Sequence, residues 1–430
     1  MENRQQKVAL WSLLCFFVPL VAIVLWFVWK EEDRQKDVKT VLKAGCAGLL
    51  IYTFISIMIV FFYDAFIKIL YILIAIACLL FMVTIHELGH YIAGRILKFK
   101  INEFSIGFGL PLFQTTNKRG EKISLRLFPL GGYCAFDGEG DEDNIAKEGS
   151  FNAQKPWKRI IVFLAGVTMN FITAIAFSLI LLCSVGYDVV QVADTNYTYS
   201  DSFSVSTTGQ LEENDVILSV GGTKVDFAFS GTFNELLNRE FRVAQSKVDS
   251  GEITSIEDYD VNFTVRRNGE NVEIVEHFIG HNIGTAEKPT YVIGVTLKTY
   301  VFSFWEALAR CIPFAFGLAW VVLKALWQLL TFQLAINQIG GTVTTIAVMA
   351  TATQANPATL LILIPLISAN LAVFNLLPFP ALDGSHVLFT TIEAIRKKPI
   401  NRKVENMIHT VGILILLLFV VTVDILHFVL

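Results

Sequence analysis

The chain has 430 residues, of which 54% are hydrophobic and only 17% charged, and its mean hydropathy is +0.56. That balance excludes an ordinary soluble protein and points to an integral membrane protein. The 34 Lys and Arg against 38 Asp and Glu give a net charge of -4, which leaves no basic excess for nucleic acid and excludes that partner class. The six cysteines lie mostly inside apolar runs and form no C-x-x-C pair, so neither a disulfide framework nor a cysteine zinc site is expected.

A hydrocarbon core of roughly 30 Å requires about 20 apolar residues of helix. Runs of that kind occupy 8–28, 41–62, 66 to about 96, 160–185, 358 to about 376 and 408–430. The first has no small-residue cleavage site after it and is closed by Lys30-Glu31-Glu32, which reads as a retained anchor rather than a signal peptide. Lys30, Arg34, Lys36, Lys39 and Lys43 in one connection, and Lys98, Lys100, Lys118, Arg119, Lys122 and Arg126 in another, place both on the cytoplasmic side. The later cluster of Arg396, Lys397, Lys398, Arg402 and Lys403 belongs on that side too. The stretch 305–332 is a further candidate, but a crossing there would move this cluster outside, so 301–357 is expected to be an interfacial or re-entrant helical region, leaving six spans with both ends outside; a seventh span that violates the charge rule is the alternative.

Residues 1–65 thus form a two-span extension, 66–98 and 159–185 further spans, 358–390 and 408–430 the last two, and 391–407 a basic cytoplasmic connection. Between them, 99–158 is a cytoplasmic β-hairpin region. Lys122 to Leu127 alternates as a strand, Pro129-Leu130-Gly131-Gly132 turns it, and Tyr133 to Phe136 returns. Asp137 to Glu142 reads as a solvated acidic connection. The polar region 186–300 is expected outside the membrane as one α+β domain, with strands at 215–220 and 224–225, a helix at 232–242, and a hairpin over 261–266 and 272–277 across Asn268-Gly269. This order is similar to a circularly permuted bacterial PDZ domain, with Asn214-Asp215 in place of the usual leading Gly-Asp.

His86-Glu87-Leu88-Gly89-His90 is an H-E-x-x-H motif on a predicted helix. Its two histidines fall one turn apart on one face and can share a zinc ion, and Glu87 can take a proton from the attacking water. A purely structural origin is costly, because ionisable residues at membrane depth carry roughly 2.5 to 3.5 kcal/mol each unless partnered. A catalytic zinc has three protein ligands, and Asn375-Leu376-Leu377-Pro378-Phe379-Pro380-Ala381-Leu382-Asp383-Gly384 offers Asp383 just after a proline-broken helix. His386 is a possible neighbour of the metal, whereas His277 and His281, flanked by Gly280 and strand-like residues, read as surface residues.

Together the two motifs resemble the site-2 proteases, intramembrane zinc metalloproteases. The resemblance extends through Gly107-Phe108-Gly109, Phe128 to Tyr133, Ala165-Gly166 with Asn170, and Ile392 to Arg396. It is nearest to the bacterial regulators with one PDZ-like insert. It implies a polytopic α-helical fold with a membrane-associated β-sheet and an inserted PDZ-like domain, in a bacterial plasma membrane. It also implies His86, His90 and Asp383 as Zn2+ ligands and Glu87 as general base, with Asn375, Gly131 and Gly132 on the substrate. The implied partners are the lipid bilayer and single-span membrane proteins such as anti-sigma factors or signal-peptide remnants. The departures are residues 1–65, Val167 where Pro is common, and Ser385 where Gly is common. A catalytically silent scaffold acting through its PDZ-like domain is the alternative, against which Glu87 speaks. A metal transporter would be expected to carry polar residues along successive helices.

Overall fold

The computed structural model describes residues 2–29, 35–139, 150–200, 203–206, 210–281, 290–333 and 340–429. Lys30-Glu31-Glu32 and the end of the acidic connection at 140–142 lie outside the described residues. The chain divides into two units, Met1–Leu73 and Ile74–Leu430.

In the first unit, α1 (Glu2–Phe17) and α2 (Pro19–Trp29) replace the single crossing expected over 8–28. The break falls at Val18, where Pro19 disfavours helical backbone in the residue before it. Cys15, Ala22, Leu25 and Trp29 pack with Val38 and Val41 of α3 (Gln35–Ile96). The 62 residues of α3 are two helical stretches that meet at a kink at Phe62 (φ -123°, ψ 26°). This break falls at the end of the run expected over 41–62, and it is a kink rather than a loop because Phe62-Tyr63-Asp64-Ala65 contains neither Gly nor Pro.

In the second unit, α3 ends in β1 (Ile101–Thr116) and β2 (Lys122–Phe136). The two strands of the expected hairpin do not pair with each other. Glu103 to Ile106 pairs on one side with residues 132–135 and on the other with 122–125, and residues 113–116 add a further segment against 122–125. Both long strands therefore fold over on themselves, β1 at Gly107 and Gly109 (φ +85° each) and β2 beside Gly131 (φ +125°), backbone angles that side chains resist. Segment 132–136 is left at one edge of this sheet. The tip is tied back to α3, since buried Glu121 accepts from Tyr91 Oη (2.9 Å) and pairs with Arg95.

α4 (Pro156–Ser184) is the hub, packing against α6, α8 and α9. Its buried positions Val162, Gly166, Asn170, Ala174, Ser178 and Leu181 recur at helical spacing. Next come β3 (Val190–Asp194), β4 (Asn196–Ser200), β5 (Phe203–Ser206), β6 (Val216–Val220), β7 (Thr223–Lys224), α5 (Phe233–Asp249), β8 (Asp260–Arg267), β9 (Glu270–His277), β10 (Ile279–His281), β11 (Thr290–Val292) and β12 (Thr296–Thr299). A six-stranded sheet in the order β12-β3-β6-β8-β9, with β7 on β6, and α5 enclose a core that includes Val192, Ile217, Leu236, Val261 and Phe263. α5 starts in a capping box of Thr232 and Glu235. The β8–β9 turn has the expected Asn268-Gly269 with both φ positive. Asn214 holds φ +71°, and buried Asp215 receives Arg267 through two nitrogens at 2.8 and 2.6 Å.

The chain then forms α6 (Phe304–Leu330), α7 (Thr342–Ala355), α8 (Leu360–Leu376), α9 (Asp383–Arg396) and α10 (Arg402–Val429). Among the described residues, five helices are long and apolar enough to cross a membrane: α3, α4, α6, 357–376 and α10. α6, expected at the interface, meets the same length and composition as the others. Asp424 of α10 accepts the Val343 and Thr344 backbone N–H groups (3.1 and 2.9 Å), satisfying the first donors of α7.

Arg159 of α4, Glu393 of α9 and Arg402 of α10 form a buried ionic chain. Glu393 receives Arg159 at 2.5 Å, Arg402 at 2.8 Å and the Ile400 N–H at 2.9 Å. Losing one partner would strand an uncompensated charge. Glu393→Gln should therefore destabilise the second unit by about 3 kcal/mol or more, read as a lowered thermal unfolding midpoint in detergent. An unchanged midpoint would show that the chain contributes nothing.

Candidate metal centre

His86 and His90 project from the same face of α3, and both are 7% exposed. Asp383 arrives from the opposite side of the sequence because the chain breaks after α8. Leu377 leaves the helix, Pro378 and Pro380 prevent its resumption, and Ala381 adopts φ +84°. Such a backbone angle in a residue with a Cβ stores roughly 1–2 kcal/mol, and the Ala381 N–H is held by His409 Nδ1 at 3.1 Å. α9 then starts at Asp383. The sequence alone left open an Asp383 that merely ended a span; it begins a helix instead, where a carboxylate is electrostatically favoured. Gly384 allows the close return, since a Cβ there would lie 2.3 Å from the Leu376 carbonyl oxygen.

The three side chains converge on one point. His86 Nε2 lies 3.0 Å and His90 Nε2 3.4 Å from Asp383 Oδ2, and the two nitrogens are 3.2 Å apart. Tetrahedral ligands about 2.0–2.1 Å from a zinc ion are separated by about 3.3 Å. The donor chemistry agrees. His90 Nδ1 sits 2.8 Å from the Val162 carbonyl oxygen, which can only accept, so Nδ1 carries the proton and Nε2 presents a lone pair. His86 Nδ1 is 3.1 Å from the Asn170 amide. Asn170 Oδ1 is buried without a partner, and turning that amide by 180° gives it the Nδ1–H of His86. The centre then holds two lone pairs and a carboxylate oxygen that lacks any hydrogen-bond donor, an arrangement that a cation reconciles.

The α4 backbone makes room for this. A Cβ on Gly166 would meet His90 Nε2 at 2.5 Å and His86 Cε1 at 2.7 Å. Replacement of Pro by Val167 one residue later leaves that approach intact.

A cavity of about 350 Å³ opens onto the centre, lined by Glu87, His90, Asp383 and His386, by Tyr133 to Phe136 of β2, and by Glu139. Glu87 lies against the glycines of β2, with a Cβ on Gly132 only 3.2 Å from its Cγ. Gly131 adjoins this edge and faces the Phe108 ring. Asn375 is not among the lining residues; it is partly exposed at the end of α8, eight residues before Asp383. His386, in the wall of this cavity, is stacked between Phe163 and His409, 4.9 and 4.1 Å between centroids. Together with Glu405 it forms a second group of metal-binding residue types. In that group, however, His409 Nδ1 already accepts the Ala381 N–H at 3.1 Å, and Glu405 is held by Arg402 at 2.6 Å. His277 and His281 sit on separate strands, as their flanks suggested.

From the sequence alone Glu139 had no place at the site and Asn170 no role, although Asn170 belongs to the resemblance. Glu139, expected on a solvated connection, faces the cavity, and burial pushes its carboxyl up to about 7. Its strand-end loop is fixed by Asn152 Nδ2, which donates to the Gly138 carbonyl at 2.7 Å. Asn170 carried a usable signal, because an amide inside an apolar helix requires a partner.

Removing the amide should weaken zinc binding by about 10- to 100-fold, so Asn170→Leu should show that loss in a chelator competition. Gly166→Ala should lower bound zinc per purified chain, while Thr168→Ala, exposed on the same helix, should leave it unchanged. Full zinc content in Gly166→Ala would contradict the close approach.

Comparison with known proteins converges on the same reading. The sequence profile of Peptidase family M50 matches residues 74–419. The chain is 32% identical to an Arabidopsis thaliana protein named "Probable membrane metalloprotease ARASP2, chloroplastic", covering 82% of this chain and 79% of that one. It is 31% identical to "Membrane metalloprotease ARASP, chloroplastic" of the same plant, covering 81% and 77%. It is also 29% identical to "Putative zinc metalloprotease CPE1693" of Clostridium perfringens (strain 13 / Type A), covering 83% and 98%. The chain belongs to Peptidase family M50 and is a site-2-type, zinc-dependent membrane metalloprotease.

Proposed function

We propose that this protease cuts single-span membrane proteins within or beside their spans, with His86, His90 and Asp383 holding zinc and Glu87 as the general base. The observation that carries the assignment is the meeting of three metal-binding atoms within 3.4 Å of one another on a cavity that Glu87 also lines. Bound there, zinc would supply Lewis acidity toward the scissile carbonyl and the attacking water. Glu87 takes the proton from that water and returns it to the leaving amine. Val162 and Asn170 hold the imidazoles in the tautomer that faces the metal.

A helical substrate conceals its amides, so it must be drawn out into a strand before cleavage. Segment 132–136, running past Glu87, carries no strand on its outer edge and can receive one by main-chain hydrogen bonding once Glu139 releases the Phe136 N–H that it holds at 3.4 Å. Gly131 and Gly132 leave that edge without side-chain bulk, and Asn375 is the remaining candidate for contact with the substrate backbone. We further read the six-stranded sheet and α5 as a PDZ-like domain outside a bacterial plasma membrane, where it would exclude substrates whose outer portions are intact. His86 precedes Arg95 by nine residues, roughly 14 Å of helix, which favours a site toward the cytoplasmic face. Anti-sigma factors and signal-peptide remnants have the required single-span form. A silent scaffold needs no Glu87 on the cavity, and its presence favours catalysis.

The test is cleavage of a panel of single-span reporters in bilayers by the zinc-loaded wild type beside Glu87→Gln. The wild type should release product, and the variant should be slower by about 10²-fold or more while retaining zinc. Equal rates would remove Glu87 from the reaction, and zinc-loaded wild type that cuts no reporter would favour the scaffold.

A further inference from the structure

We infer that a second cavity, between the start of α4 and the α9–α10 connection, binds the phosphate of an anionic lipid headgroup. This cavity of about 470 Å³ is lined by Arg159, Lys397, Lys398 and Arg402 against the single carboxylate of Glu393. That carboxylate is already engaged by Arg159, Arg402 and the Ile400 N–H, and Glu405 is engaged by Arg402. Arg159 is 4% exposed, and its Nε has no hydrogen-bond partner. Lys397 and Lys398 are exposed and form no ion pair among the described residues. The positive charge of the lining is therefore only partly neutralised from within.

The backbone adds to this field. α4 begins at Pro156 beside the cavity, with no side chain capping its first turn, and α10 begins at Arg402. Two helix N-termini thus bring their positive ends to the same place. α9 ends there as well, but Arg396, Lys397 and Lys398 offset its carbonyl end. Arginines and lysines converging with the uncapped start of α4 suit a phosphate oxyanion; the start of α10 is capped by Asn401, whose Oδ1 accepts the Lys403 N–H at 3.0 Å.

The position selects a lipid as its source. α4 and α10 are both helices of membrane-crossing length, and the cavity lies at their N-terminal ends. Trp157 in the first turn of α4 is 52% exposed, with Lys158 Nζ 6.0 Å from its ring centroid. Ile161 one turn on is 45% exposed, and Ile395 is 77% exposed. Trp beside Lys, followed by exposed apolar side chains, is the pattern of a helix passing from headgroups into hydrocarbon. A basic pocket between crossing helices at that level is suited to anionic headgroups. The occupant would bridge α4, which carries Gly166 and Asn170, to α9, which carries Asp383, so binding should stabilise the second unit.

The experiment follows thermal unfolding of the purified full chain in neutral detergent micelles doped with phosphatidylglycerol, with phosphatidylcholine, or with phosphatidylcholine plus inorganic phosphate. Phosphatidylglycerol should raise the midpoint saturably, and the other two should not. The double variant Lys397→Gln/Lys398→Gln should unfold like the wild type without added lipid, yet require about tenfold more phosphatidylglycerol for the same shift. Arg396→Gln/Lys403→Gln, which removes equal charge outside the cavity lining, should respond as the wild type. An equal loss in both double variants would reduce the effect to general surface charge and overturn the site. A midpoint raised equally by inorganic phosphate would overturn the lipid assignment in favour of a free anion.

Discussion

Everything around the centre follows from one constraint: charged and proton-accepting groups have been placed inside an apolar protein, where each must be answered. His86, His90 and Asp383 bring two ring nitrogens and a carboxylate oxygen without a donor to one point, where a cation would answer all three, since both Nδ1 atoms face α4. Unpartnered ionisable groups at membrane depth carry roughly 2.5–3.5 kcal/mol each on insertion scales, so metal binding and the stability of this region are linked. The same rule accounts for the ionic chain of Arg159, Glu393 and Arg402 and for Asp424 at the start of α7. Each of these buried charges links two helices.

Convergence is obtained with local devices. The two prolines and the left-handed Ala381 turn the chain so that Asp383 opens a helix rather than closing one. Gly166 and Gly384 remove side chains where backbones must pass close to an imidazole and to the end of α8. Gly107, Gly109 and Gly131 fold two long strands into a narrow sheet whose edge runs beside Glu87. α4 links these parts, because one face of it buries Arg159, Gly166 and Asn170 in succession.

Much of the centre was readable because its signals are short-range. His86, Glu87 and His90 occupy one helical turn, and the proline pair announces a break immediately before Asp383. The Asn268-Gly269 hairpin and the Thr232 helix start were legible for the same reason. What escaped depends on contacts between distant segments. The alternation of 122–127 identifies a strand but not its partner, which is 103–106 rather than 133–136. The location of Glu139 depends on Asn152 anchoring its loop, which no local pattern encodes. Residues 8–28 have the composition of one span, but Pro19 divides them into two helices.

The central claim is that the break after α8 exists to carry Asp383 to the two histidines as the third ligand. Zinc affinity measured by chelator competition on Asp383→Ala, beside wild type and Glu87→Gln, tests it most directly. The account predicts a large loss for Asp383→Ala, comparable to that of His90→Ala, and near wild-type affinity for Glu87→Gln. Wild-type affinity in Asp383→Ala would contradict it.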